Sequence, residues 1–135
     1  MTEIYQGRSI AKGIAEGEAL VSHQPLSIFG GVSPETGVVM EREHELYGVK
    51  LTGKVLVMPP LKGSTAGTWI LCRASENGVA PSAIVVTRTD IILTAGAIIG
   101  KIPTVDNFGF DPTTKFKNGQ KLRVNGDNGT VELLG

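Results

Sequence analysis

The apolar run Val55-Leu56-Val57-Met58, stopped at once by Pro59-Pro60, constrains this chain more than any other feature. An unbroken run of this kind, from Lys54 to Met58, reads as a buried strand, and paired prolines cannot extend its hydrogen-bond ladder. The sequence then turns through Lys62-Gly63-Ser64-Thr65-Ala66-Gly67 and takes up a helical rhythm from Thr65 to Asn77. Ala66, Trp69, Ile70, Cys72, Arg73 and Ala74 fit one helix, with Ser64 or Thr65 placed to cap it and Asn77-Gly78 placed to end it. A glycine-rich turn bearing a hydroxyl thus joins a strand to a helix.

The flanking sequence extends this pattern. Ser9 to Val21 reads as a strand with an irregular middle, because Gly13 and Gly17 argue against a helix. A short apolar stretch from Pro25 to Phe29 ends at Gly30-Gly31, and Ser33 to Gly37 reads as a turn. Val38 to Met40 is expected to form a short strand, and Glu41 to Tyr47 a solvated polar connection. Ala83 to Val86 is a second buried strand. Ile91 to Ile99 is either a short helix or a turn plus strand, and Ile102 to Val105 is a third short apolar piece. Lys121 to Leu134 reads as a hairpin around Gly126-Asp127-Asn128-Gly129. The expected fold is α+β: a partly parallel central sheet with short helices, packed against an outer layer of β-hairpins.

The 135 residues suit a single domain spanning 1–135. The 13 basic and 13 acidic residues cancel, whereas nucleic-acid binding draws on a basic surplus. No apolar run is long enough to cross a membrane, and Met1 to Tyr5 leads into polar sequence rather than a secretory leader, so a cytoplasmic location is expected. The single cysteine, Cys72, excludes an intrachain disulfide and a four-thiolate metal site.

Ser64 is the main candidate for chemistry. A serine hydroxyl needs tuning by its neighbours to react, and backbone N–H groups at a helix start can hold an oxyanion. The same residue serves equally as a plain helix cap. Lys62 reads as a ligand for an acidic substrate or as a solvated turn lysine, and Thr65 as a second ligand or a cap. Gly63 would permit close approach. The pattern before Lys62 lacks the glycine spacing of a nucleotide P-loop. Asp106 and Asn107 follow the strand ending at Val105, where a carboxylate suits either a site or a turn cap. Asp90 is equally ambiguous. His23 and His44 have no metal-ligand spacing and read as surface or hydrogen-bonding histidines, and Cys72 reads as core packing.

Several segments in order resemble the swivel domain, or small subunit, of the aconitase X family. They include Gly17-Glu18-Ala19-Leu20-Val21, Phe29-Gly30-Gly31-Val32, Pro34-Glu35-Thr36-Gly37, Gly53-Lys54-Val55-Leu56-Val57 and Lys62-Gly63-Ser64-Thr65. Asn77-Gly78-Val79-Ala80-Pro81 and Ala97-Ile98-Ile99-Gly100-Lys101-Ile102-Pro103 complete the set. The resemblance implies a swivelling β/β/α domain that closes over a large catalytic subunit holding an iron–sulfur cluster, this chain itself binding no metal. It implies a hydro-lyase acting on a small carboxylate-bearing hydroxy acid, with Ser64 in proton transfer; Lys62, Gly63, Thr65 and Asp106 are the candidates that the residues themselves offer for substrate contacts. The Lys-Gly-Ser-Thr run is nearer to members that convert 5-phosphomevalonate to trans-anhydromevalonate 5-phosphate than to those acting on cis-3-hydroxy-L-proline. The tail from Gly119 also resembles the mobile phosphohistidine domain of phosphoenolpyruvate-utilising enzymes, but the corresponding glycine-rich loop here offers Ser64 and no histidine. A non-catalytic assembly module is the remaining alternative.

Overall fold

The computed structural model describes residues 3–27, 31–60 and 66–134. The strands are β1 (Glu3–Gln6), β2 (Arg8–Ala11), β3 (Ile14–Val21), β4 (Val55–Met58), β5 (Ala83–Val86), β6 (Thr104–Asp106), β7 (Lys121–Asn125) and β8 (Thr130–Leu134). The helices are α1 (Ala66–Glu76), α2 (Ile91–Ile99) and α3 (Pro112–Lys115).

The strands lie in the order β1-β8-β7-β3-β4-β5-β6-β2. β3, β4, β5 and β6 run parallel to their neighbours in that series. β7 pairs antiparallel with β3 and β8, β8 with β1, and β2 with β6. Two strand segments turn the corner between layers. β3 pairs with β7 through Ile14–Glu18, then with β4 through Ala19–Val21. The strip from Glu3 to Ala11 pairs first with β8 and then, past Gly7, with β6. The two ends of the strand order are therefore neighbours in the chain, and the sheet folds back on itself. Gly126 seals this closure: its N–H donates to the Gly13 carbonyl at 2.7 Å, and a Cβ there would lie 1.9 Å from the Ala11 carbonyl oxygen.

Alternation along the central strands separates two cores. Val55 and Val57, with Ala83, Val85, Val105, Leu122, Val124, Val131 and Phe116, fill the space between the β layers. Leu56, Met58, Ile84 and Val86 face the other way, against Leu71, Leu93 and Ala97 of the helices. The layering is β/β/α, as expected from the sequence.

Helix ends follow local chemistry. Gly78, at φ +72°, ends α1: its N–H bonds the Ser75 carbonyl at 3.0 Å and that of Val79 bonds Ala74 at 2.9 Å. This is the paired closure that a left-handed residue permits. Asp90 caps α2 by accepting from the Leu93 N–H at 2.8 Å. That cap, with Leu93, Gly96 and Ala97 buried on one helical face, makes 91–99 a helix rather than a turn plus strand.

Other sequence expectations are corrected. The strand at Val38–Met40 is reduced to isolated bridges, Val32 to Val39 and Val38 to Lys50. Adjacent residues pair with different partners, and the turns at 33–37 and 46–49 close each ladder after one step. β1 and α3 were not expected at all, although Asp111-Pro112 is a legible helix start with proline in its first turn. His44 is buried rather than solvated, at 5% exposure.

Candidate functional site

The C-terminal ends of β4, β5 and β6 form one edge of the parallel sheet. Hydrogen bonds hold these ends side by side: the Thr87 N–H donates to the Met58 carbonyl and the Asn107 N–H to the Thr87 carbonyl, each at 3.2 Å. Loops that leave the carboxyl ends of parallel strands build ligand sites in open sheets and in barrels alike. β4 ends at Met58 and α1 begins at Ala66, so the connection bearing Ser64 runs between this edge and a helix start. Lys62, Gly63, Ser64 and Thr65 themselves lie outside the described residues.

Asp106 stands at the end of β6, where the sequence places it, and is fully buried. Its Oδ1 accepts from Arg8 Nε and its Oδ2 from an Arg8 terminal nitrogen, both at 2.9 Å. Oδ2 also accepts from the Thr89 N–H at 2.7 Å and the Thr89 hydroxyl at 2.8 Å. Burial alone would push this carboxyl up. The Arg8 and Thr89 hydrogen bonds, with the Arg8 charge, outweigh it together and hold the group below its ordinary value. Asp106 thus fastens β2 to β6 and fixes the loop after β5.

That loop, 87–90, and the loop after β6 border an open groove of about 380 Å³ lined by Thr87, Arg88, Asn107, Phe108, Gly109, Phe110 and Asp111. Asn107 sits at φ +58°, a left-handed conformation that asparagine tolerates better than most residues. Arg8, Arg88 and Thr89 were not singled out from the sequence. Thr87-Arg88-Thr89-Asp90 could have been, since it leaves a buried strand just as Asp106 does; nothing in the sequence marks Arg8.

The histidines lie elsewhere. His23 is exposed and contacts the Glu45 carboxylate. His44 Nδ1 accepts from the Leu46 N–H at 3.0 Å, which leaves the proton on Nε2, within reach of the Gln24 carbonyl at 3.1 Å and Ser22 Oγ at 3.2 Å. The Ser22 hydroxyl donates to the Gln24 carbonyl at 2.6 Å, so His44 does not act as its base. Cys72 is buried in α1, its thiol raised by burial and then by Glu76. Among the described residues no group of three or more His, Cys, Asp or Glu side chains could hold a metal ion. No described helix is long and apolar enough to cross a membrane.

Comparison with known proteins decides the family. The model of the aconitase X swivel domain matches residues 4–133. The chain belongs to the aconitase X swivel family. Among its relatives, the phosphomevalonate dehydratase small subunit of Methanosarcina mazei is 45% identical over 130 residues, covering 96% of this chain and 90% of that one. The protein of the same name from Thermococcus kodakarensis is 47% identical over 129 residues, covering 96% and 95%. The crystal structure of Thermococcus kodakaraensis aconitase X in its holo-form matches with a TM-score of 0.93 and 46% identity, over 98% of this chain and 99% of that one. The strand-end edge described above is therefore an edge of an aconitase X swivel domain.

Proposed function

We propose that this chain is the small subunit of a hydro-lyase that dehydrates 5-phosphomevalonate to trans-anhydromevalonate 5-phosphate. One observation carries the reading: the match to phosphomevalonate dehydratase small subunits runs over nearly the whole of both chains. The strand-end edge supports it, because a site open on one side suits a domain that closes over a larger partner. The iron–sulfur cluster implied by the family resemblance belongs in this reading to that large subunit; the described residues here supply no ligand set for one.

In this reading Ser64 takes the proton from the carbon beside the substrate carboxylate. The electron pair left behind forms the new double bond and the neighbouring carbon loses its hydroxyl as hydroxide; the proton that Ser64 removed, released to solvent, balances it, so that one water leaves in all. Gly63 permits close approach of the backbone, whose N–H groups steady the charged serine oxygen. Lys62 and Thr65 help to hold the substrate's negative charge. Asp106 contributes through Arg8 and the Thr89 loop that it fixes. Closure against the partner excludes water.

The test is turnover by the chain copurified anaerobically with its large partner, with 5-phosphomevalonate and cis-3-hydroxy-L-proline assayed in parallel. Water loss from 5-phosphomevalonate is expected, abolished by Ser64→Ala with the complex still assembled on size exclusion. Preferential dehydration of hydroxyproline reassigns the substrate. No turnover of either by a complex with an intact cluster overturns the dehydratase reading, and turnover by the isolated chain overturns the subunit reading.

A further inference from the structure

The acidic residues nearest Arg88 in the strand-end loops are all engaged elsewhere. Asp90 caps α2 through the Leu93 N–H. Asp106 is taken up by Arg8 and Thr89. Asp111 caps α3, accepting from the Thr113 N–H at 2.9 Å and its hydroxyl at 2.7 Å. Arg88 is exposed, has no acidic partner among the described residues, and lines the groove together with Asn107. Its loop is tied down by hydrogen bonds: Thr87 is bonded on one side to Met58 and on the other to Asn107, and Thr89 is bonded to buried Asp106. A tied loop that sets a guanidinium with no acidic partner among the described residues beside a groove suits an oxyanion. The planar fork of arginine matches two phosphate oxygens at once.

Position sets which oxyanion it meets. Arg88 follows β5, while Ser64 lies in the connection after β4. The strands before them, β4 and β5, are neighbours, and in the proposed reading Ser64 works at the carbon beside the carboxylate, which leaves the phosphate group for Arg88. We infer that Arg88, with Asn107 beside it, forms the subsite for the substrate's phosphate group. The inference rests on the proposed dehydratase function for the identity of the substrate, and on the groove itself for the binding of an oxyanion.

The test uses the assembled two-subunit enzyme. Arg88→Ala is expected to raise KM for 5-phosphomevalonate about tenfold or more, the effect of one charge-assisted contact, with kcat changed only slightly. Arg88→Lys restores part of the loss, because it keeps the charge without the fork. Titration calorimetry of the inactive Ser64→Ala complex with inorganic phosphate then reads the subsite without turnover. Binding that weakens on adding Arg88→Ala supports the inference even where no hydroxy acid is dehydrated, in which case only the dehydratase reading falls. Unchanged KM and unchanged phosphate binding in Arg88→Ala overturn the inference while leaving the dehydratase reading intact. Equal KM changes for 5-phosphomevalonate and unphosphorylated mevalonate also overturn it, since the phosphate is then not the group held. Arg88 is exposed, so thermal unfolding of the variant complex is expected to match wild type.

Discussion

Arg8 holds Asp106 through two parallel hydrogen bonds of 2.9 Å each, joining the strip that closes the sheet to the last strand of the parallel series. The two ends of this pair differ in their surroundings: the Arg8 side chain is 53% exposed and that of Asp106 is 0% exposed. Removing the carboxylate therefore leaves an arginine that water can resolvate. The cost of Asp106→Asn then falls chiefly on the Thr89 donors and is expected to be about 1–3 kcal/mol. Denaturant unfolding at neutral pH checks this.

The same pair sets an acid limb of stability. The folded Asp106 carboxyl lies below its ordinary value of 3.8, so its contribution is present above that value and is lost as pH falls through the depressed folded one. The stability gap between wild type and Asp106→Asn is expected to be widest near neutrality and to close below about pH 4. Urea unfolding across an acid series measures it; a gap independent of pH contradicts the assignment.

Gly78 and Gly126 separate two reasons for glycine. A Cβ at Gly78 meets nothing within 4 Å, so Gly78→Ala pays only for its left-handed backbone, about 1 kcal/mol. At Gly126 a Cβ would meet the Ala11 carbonyl oxygen, so Gly126→Ala must displace the sheet closure and is expected to cost more, roughly 3 kcal/mol. Paired unfolding curves rank them, and the reverse order contradicts the closure described.

The His44 hydrogen bonds predict a neutral imidazole with its proton on Nε2. Nitrogen chemical shifts of the ring report this tautomer directly. His44→Ala removes the acceptor for the buried Leu46 N–H and is expected to destabilise the fold by about 1–3 kcal/mol. Turnover of the surviving folded complex is expected to be unaltered.

Cys72 is expected to resist alkylation. Its thiol is buried and its pKa raised, so little thiolate is present at neutral pH to react. Iodoacetamide labelling followed by mass spectrometry is expected to be slow for the native chain and rapid in denaturant.

Residue pattern reveals much of the layering and less of its closure. Val55–Met58 and Ala83–Val86 are legible because unbroken apolar runs bounded by proline or polar residues have few uses besides a covered strand. The hairpin of β7 and β8 is legible from its turn. β1 is not, since Glu3-Ile4-Tyr5-Gln6 gains its place from pairing with β8, more than a hundred positions away. His44 misleads because the charged residues around it suggest solvent, while its own ring turns into the fold to serve backbone groups. At the site, the position of Asp106 is visible in advance, but its engagement by Arg8 depends on a contact across the closed sheet that no local spacing encodes. Ser64 and its neighbours rest on the sequence alone.

The pairing of β1 with β8 sets Glu3 opposite Leu133. The first and last strands thus lie side by side on the outer layer, away from α1 and α2. A linker attached before β1 or after β8 would depart from nearly the same spot, so the order in which this domain is joined to another polypeptide makes little geometric difference.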